Sequence, residues 1–200
     1  MNAKGPMAMA GQRIGLLGGS FDPPHPGHLH ISDWALKAAG LDRVWWLVSP
    51  GNPLKQRGPA DIDQRTAACR ALVGRHPRIQ VTDIERHLGS SYTAHTLRGL
   101  ARRYPGVRFV WLMGADNLAS FHRWQRWDWI IESFPILVLG RPEQQLSAGL
   151  SPTARRYAGL RVPAGAAGTL GRGATNGWAL LTGPMSGASS TAIRGSGAWT

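Results

Sequence analysis

Two histidines three residues apart, His25 and His28, close the segment Gly18-Gly19-Ser20-Phe21-Asp22-Pro23-Pro24-His25-Pro26-Gly27-His28. Imidazole rings can donate hydrogen bonds to the non-bridging oxygens of a phosphoryl group as charge develops in a transition state. Glycines let a backbone come close to a ligand and take turn conformations closed to other residues. Together these residue types point to the binding and transfer of a phosphate-bearing group. A plain strand–turn–helix corner with two surface histidines would use some of the same residues. The string is far longer than the glycine pair that such a corner needs.

The flanking residues supply the elements that would position the histidines. Ile14-Gly15-Leu16-Leu17 reads as a buried strand, and Ile31, Trp34, Ala35 and Ala38 recur at helical spacing within Leu29 to Ala39. Pro26 suits the first helical position, where an N–H has no intrahelical use. His25 then falls at the cap and His28 in the first turn. Exposed N–H groups and the positive end of the helix favour an anion there.

Further strands are expected at Val44–Val48, Ile79–Val81, Val107–Met113, Pro135–Leu139 and Trp178–Leu181. Helices are expected over Asp61–Arg75 (Ala67, Ala71 and Leu72 on one side), Thr93–Arg103 and Trp124–Glu132. Alternating strands and helices predict one Rossmann-like α/β domain over 13–200, doubly wound, with a mainly parallel sheet of about five strands covered on both faces. Ligands of such sheets lie beyond the carboxyl ends of the strands. Residues 147–177 are rich in Ala, Gly, Arg and Ser. There a short helix at Pro152–Tyr157 and a flexible surface loop at Ala164–Asn176 are expected. Residues 1–12 read as a disordered leader without the apolar core of a signal peptide.

The chain has 200 residues, of which 42% are hydrophobic, enough for one full core. No apolar stretch approaches the ~20 residues of a membrane span, and a cytoplasmic protein without membrane partners is expected. Cys69 is the single cysteine and reads as a small buried apolar residue, so neither an intrachain disulfide nor a zinc cluster is expected. The net charge of +12 comes from 23 basic residues, of which only Lys4, Lys37 and Lys55 are lysines. The arginines are dispersed, which suits general affinity for polyphosphates rather than specific nucleic-acid recognition. His30, His76, His87, His95 and His122 form no metal-ligand pattern.

Three more groups could carry chemistry. Small hydroxyls at Ser189-Ser190-Thr191, with Arg194 a turn later, offer backbone and side-chain donors to one anion. Gly114 and Asp116, after a strong strand, place a carboxylate at the ligand edge where it can accept from ribose hydroxyls. Capping of the next helix by Asp116 is the plainer alternative. Lys55, after Pro53-Leu54, reads by itself as a solvated charge, as does Arg141 before Pro142. Trp45, Trp46 and Trp111 read as strand packing, whereas spacing does not separate the roles of Trp124, Trp127 and Trp129.

The histidine string resembles the histidine-x-glycine-histidine signature of the nucleotidyltransferase superfamily. With its Phe-Asp-Pro and first histidine, it is similar to the longer form in the bacterial nicotinate mononucleotide adenylyltransferase family. The resemblance covers roughly residues 13–142 and 178–194. It implies AMP transfer from ATP to nicotinate mononucleotide, giving deamido-NAD and pyrophosphate in NAD biosynthesis. His25, His28, Lys55 and Arg194 would be the catalytic groups. Gly18, Gly19, Ser20, Phe21, Gly114, Asp116, Ser189, Ser190 and Thr191 would bind ATP. Tyr92 and Thr93, after Ser91, would meet the nicotinate carboxylate, and Trp124 would stack on the pyridine ring. Mg²⁺ would enter on the ATP phosphates, with no protein side chain as metal ligand. Monomer and homo-oligomer remain open. Nicotinamide mononucleotide or phosphopantetheine as acceptor, and a non-catalytic nucleotide- or RNA-binding protein, are the alternatives. Two departures from the family pattern are Ala188 in place of isoleucine and only six residues after Arg194.

Overall fold

A computed structural model describes residues 5–51, 58–89, 92–140, 144–173, 176–183, 190–197 and 199. Among them, six strands form one sheet: β1 (Arg13–Gly19), β2 (Arg43–Val48), β3 (Ile79–Thr82), β4 (Arg108–Gly114), β5 (Ile136–Gly140) and β6 (Trp178–Thr182). All pair in parallel, in the order β3-β2-β1-β4-β5-β6. The chain therefore moves outward on one side of β1 and then on the other. The crevice beyond the carboxyl ends of β1 and β4 is the switch point where such sheets bind ligands.

Strand alternation feeds two cores. Leu16, Trp45, Trp111, Val138 and Trp178 pack on one face, and Leu17, Trp46, Leu112, Leu137 and Ala179 on the other. Adjacent Trp45 and Trp46 thus point to opposite faces, as the period-2 pleat requires. The second face is covered by α1 (Pro26–Ala38), α2 (Ile62–Val73) and α9 (Gly168–Gly171). On the first face lie α4 (Thr93–Arg103), α5 (Ala115–Ser120) and α6 (Trp127–Ser133), with α3 (Glu85–Leu88) in the connection from β3.

Several details differ from the sequence expectations. α6 starts at Trp127, and Trp124 precedes it, just after a 3-10 turn at Phe121–Arg123. α2 buries Arg65, Thr66 and Cys69, while Ala67 and Ala71 face solvent. The short helix expected at Pro152–Tyr157 is present as α8 (Pro152–Arg156), preceded by α7 (Gln145–Gly149). Where a flexible surface loop was expected from Ala164, the chain forms a 3-10 turn at Ala164–Ala166 and α9. Their small residues bring backbone against the body: Ala148, Ala154, Ala167 and Leu170 are buried, and a Cβ on Gly171 would strike the carbonyl of Ala39. Residues 5–12 are bound to the domain through Gly11 N–H to Gly106 O and Arg108 N–H to Gln12 O, both 2.8 Å. Cys69 is buried as expected, and burial pushes its thiol up to about 12. No helix among the described residues is long and apolar enough to cross a membrane.

Candidate active site

β1 ends at Gly19, and the chain turns through Ser20 to Pro24 into α1. Neither Gly18 nor Gly19 has a positive φ; the left-handed residue is Phe21, at φ 47°. The glycines therefore serve packing. A Cβ on Gly18 would collide with the Trp111 ring, and one on Gly19 would touch Phe21. The Phe21 ring is buried and stacked 5.1 Å from Trp46, so only its backbone can face a ligand.

His25 is the N-cap of α1, Pro26 stands at its first position, and His28 completes the first turn. The imidazole centroids lie 4.0 Å apart. His28 Nδ1 accepts the N–H of His25 at 3.1 Å, and Nδ1 also lies 3.3 Å from His25 O. An obligate donor at the shorter distance assigns the ring proton to Nε2, which makes that atom a donor for a ligand. Phe21 and Trp46 pack on the ring at 4.8 and 5.8 Å. Burial, reinforced by His25, lowers the His28 pKa to about 3, and burial also lowers that of His25. Both rings are neutral donors or acceptors at neutral pH. His25 Nδ1 is buried, and the His25 ring faces the His28 backbone N–H in a capping-box arrangement without a close hydrogen bond to Nδ1 among the described residues.

The turn is braced from three sides. Ser32 Oγ donates to His28 O and accepts from Trp46 Nε1, both at 2.8 Å, so the first turn of α1 is pinned to β2. In α10 (Ser190–Gly195), Ser190 Oγ donates to Pro23 O at 2.8 Å, and the Arg194 guanidinium donates to Asp22 O. Trp199 Nε1 donates to Asp22 Oδ1 at 2.7 Å, so the short tail after Arg194 returns to this turn. Ser190 and Arg194 are thus brought to the histidine loop. Ser189, with Lys55, Arg141, Ser91 and Ala188, lies outside the described residues.

Across the crevice, Gly114 is the N-cap of α5 and has no side-chain cap. Asp116 is exposed, and its carboxylate lies over Gly114, where a Cβ would strike Oδ1. Its carboxylate therefore stands open at the end of β4, not spent as a cap.

Tyr92 caps α4 through its backbone: its carbonyl accepts from His95 and Thr96, and its side chain is largely exposed. Trp124 packs on Phe121 at 5.2 Å and edge-on to Trp111 at 6.3 Å. Since Trp111 lies against Gly18, a continuous contact runs from the histidine strand to Trp124. α4 and Trp124 share the first face. Trp127 packs on Phe121 and Tyr157, and Trp129 on Phe134, as core-edge groups.

Two residues at this edge were not expected from sequence. Arg65 is fully buried and, among the described residues, bonds only to carbonyls. The signal was present as a charged residue in register with buried Cys69, four positions on. Glu85 is buried with Oε1 accepting from Thr96 at 2.7 Å, and burial raises its pKa to about 7. No periodic pattern marks it.

A cytidylyltransferase-like family model matches residues 16–196. A Cereibacter sphaeroides protein named "Probable nicotinate-nucleotide adenylyltransferase" is 60% identical over 93% of this chain and 98% of its own length. One of the same name from Ruegeria pomeroyi is 57% identical over 98% of this chain and 91% of its own. Among solved structures, Plasmodium falciparum nicotinic acid mononucleotide adenylyltransferase complexed with NaAD superposes with a TM-score of 0.68 at 16% identity, over 92% of this chain and 83% of that one. That likeness concerns the fold, while the curated relatives carry the assignment. This chain belongs to the cytidylyltransferase-like family and, within it, to the nicotinate-nucleotide adenylyltransferases.

Proposed function

We infer that this chain transfers AMP from ATP to nicotinate mononucleotide, with pyrophosphate leaving. The pair of neutral imidazoles 4.0 Å apart, at the α1 N-terminus and beside the β1–β4 switch point, is the observation that carries the reading. The acceptor's 5′-phosphate is already anionic at neutral pH, so the attack on the α-phosphorus needs no general base. Catalysis then consists of alignment and of stabilising charge on the transferring group.

His28 Nε2–H and the His25 ring would donate to phosphate oxygens as negative charge redistributes toward pyrophosphate. The backbone N–H groups at the start of α1 add fixed positive potential. Ser190, Thr191 and Arg194 would hold the ATP tail, with Ser189 and Lys55 assigned by resemblance alone. Gly114 and Asp116 would receive the ribose across the crevice. Tyr92, Thr93 and Trp124 would receive the pyridine ring, with the first N–H groups of α4 toward its carboxylate. Mg²⁺ enters as the ATP complex, keeping most of its waters.

The test is purified protein with ATP, Mg²⁺ and nicotinate mononucleotide, scored for pyrophosphate and dinucleotide. No product would refute the reading. Product with phosphopantetheine or nicotinamide mononucleotide alone would move the acceptor assignment and leave the reaction class.

A further inference from the structure

Beyond the last rung between β1 and β2, where Ser49 N–H donates to Gly19 O at 3.0 Å, the two strands separate into different loops. The Arg65 guanidinium fills that split. Nη1 donates to Ser20 O at 2.6 Å and to Ser49 O at 2.8 Å; Nε donates to Ala60 O at 2.7 Å; Nη2 reaches Pro50 O at 3.5 Å. One side chain therefore ties the loop after β1 to the end of β2 and to the entrance of α2. The Ala60 peptide continues the connection, since its N–H donates to Asp22 Oδ1 at 3.3 Å. Ser20 and Asp22 flank Phe21, whose left-handed backbone turns the chain toward His25.

A fully buried guanidinium is expensive unless a carboxylate pairs with it. Arg65 forms no ion pair among the described residues, and burial lowers its pKa against the opposing fields of Asp22, Cys69 and Asp61. The Asp22 carboxylate is already engaged by Trp199 and Ala60, with Arg194 at 3.8 Å. Carbonyl dipoles solvate the charge without cancelling it. A cation behind the loop, only partly offset by Asp22 and Asp61, favours an anion in front of it.

We propose that Arg65 is a positioning residue for adenylyl transfer: through Ser20 and Ala60 it sets the loop that carries His25 and His28, and its buried charge strengthens the hold on the ATP phosphates. The proposal rests on the reaction assigned above, but it concerns a residue that touches no substrate. Lysine at this position keeps the charge and the aliphatic stem. It lacks the planar fork that reaches carbonyls of three segments together. Glutamine loses the charge as well.

R65K and R65Q are compared with the wild type by thermal melting and by steady-state pyrophosphate release, well below the melting temperature of each. The expected result for folded R65K is a turnover loss of about tenfold, with KM for nicotinate mononucleotide within about twofold of wild type. For R65Q the expected loss is about a hundredfold with a raised KM for ATP, in line with the cost of ångström-scale misplacement. Wild-type turnover in folded R65K would overturn the proposal and leave Arg65 a purely structural residue. So would an R65K that does not fold, because it would make the fork a requirement of the fold itself. Wild-type protein that forms no dinucleotide would refute the reaction instead. Arg65 would then be judged by calorimetric affinity for Mg·ATP, where equal affinity in wild type and R65K would overturn its role.

Discussion

His28 Nδ1 accepts the backbone N–H of His25 at 3.1 Å, so one histidine orients the other before any substrate arrives. The contact closes the first turn of α1 and leaves Nε2–H of His28 as its free donor. Removing that donor should cost transition-state stabilisation more than fold. His28→Ala is expected to lower turnover by about a hundredfold or more. Circular dichroism should stay native. Near-normal turnover would reassign His28 to structure.

The same burial has a pH signature. Nitrogen NMR of the free protein should find His28 as the neutral Nε2–H tautomer throughout the pH range 5–8, since its pKa is lowered to about 3. The unfolded chain takes up this proton near pH 6.5 and the folded chain does not. His28 therefore removes stability as pH falls from 6.5 toward 3. A His28 titration midpoint between pH 6 and 7 would contradict the packing described.

Glu85 acts in the opposite direction, removing stability as pH rises. Burial raises its carboxyl from 4.5 to about 7, and the Thr96 and Ser49 hydroxyls offset only part of the effect. The unfolded state releases this proton first, so stability falls as pH rises from 4.5 to 7 and the penalty is complete above that. Its full size is about 3 kcal/mol. Glu85→Gln should flatten this part of the stability–pH curve and raise the melting temperature at pH 8 relative to wild type. A variant as pH-dependent as wild type would exclude Glu85 as the source.

Gly18 is required by Trp111, whose ring occupies the space of a Cβ. Both lie in paired central strands, and Trp111 is 2% exposed, so neither can withdraw freely. Gly18→Ala should destabilise by about 1–3 kcal/mol. Calorimetry should register a lower melting temperature, and an unchanged one would mean that the ring has room to move.

Trp124 and Trp127 separate substrate contact from packing. Trp124→Ala should raise KM for nicotinate mononucleotide about tenfold and leave KM for ATP nearly unchanged, as loss of a face for an electron-poor ring predicts. Trp127→Ala removes contacts with Phe121 and Tyr157 and should lower melting temperature with little effect on either KM. The opposite pattern would exchange the two roles.

The sequence by itself determined the α/β order, the parallel sheet, the placement of Pro26 at the first helical position and the two-histidine turn. These depend on local periodicity, turn chemistry and contiguous motifs, which survive in one dimension. It also pointed to Ser190 and Arg194, which meet the loop at Pro23 and Asp22. Tertiary structure alone decided why Gly18 is glycine, since the reason is a ring 93 positions away in the chain. It also gathered the carbonyls of Ser20, Ser49, Pro50 and Ala60 around Arg65 and carried Trp199 back to Asp22. The short helix expected at Pro152–Tyr157 is α8, whereas the ordered turn and helix within 164–171 were not legible, for the same reason. Ala- and Gly-rich composition records weak local preference, whereas their order comes from burial against a sheet that only the folded chain presents.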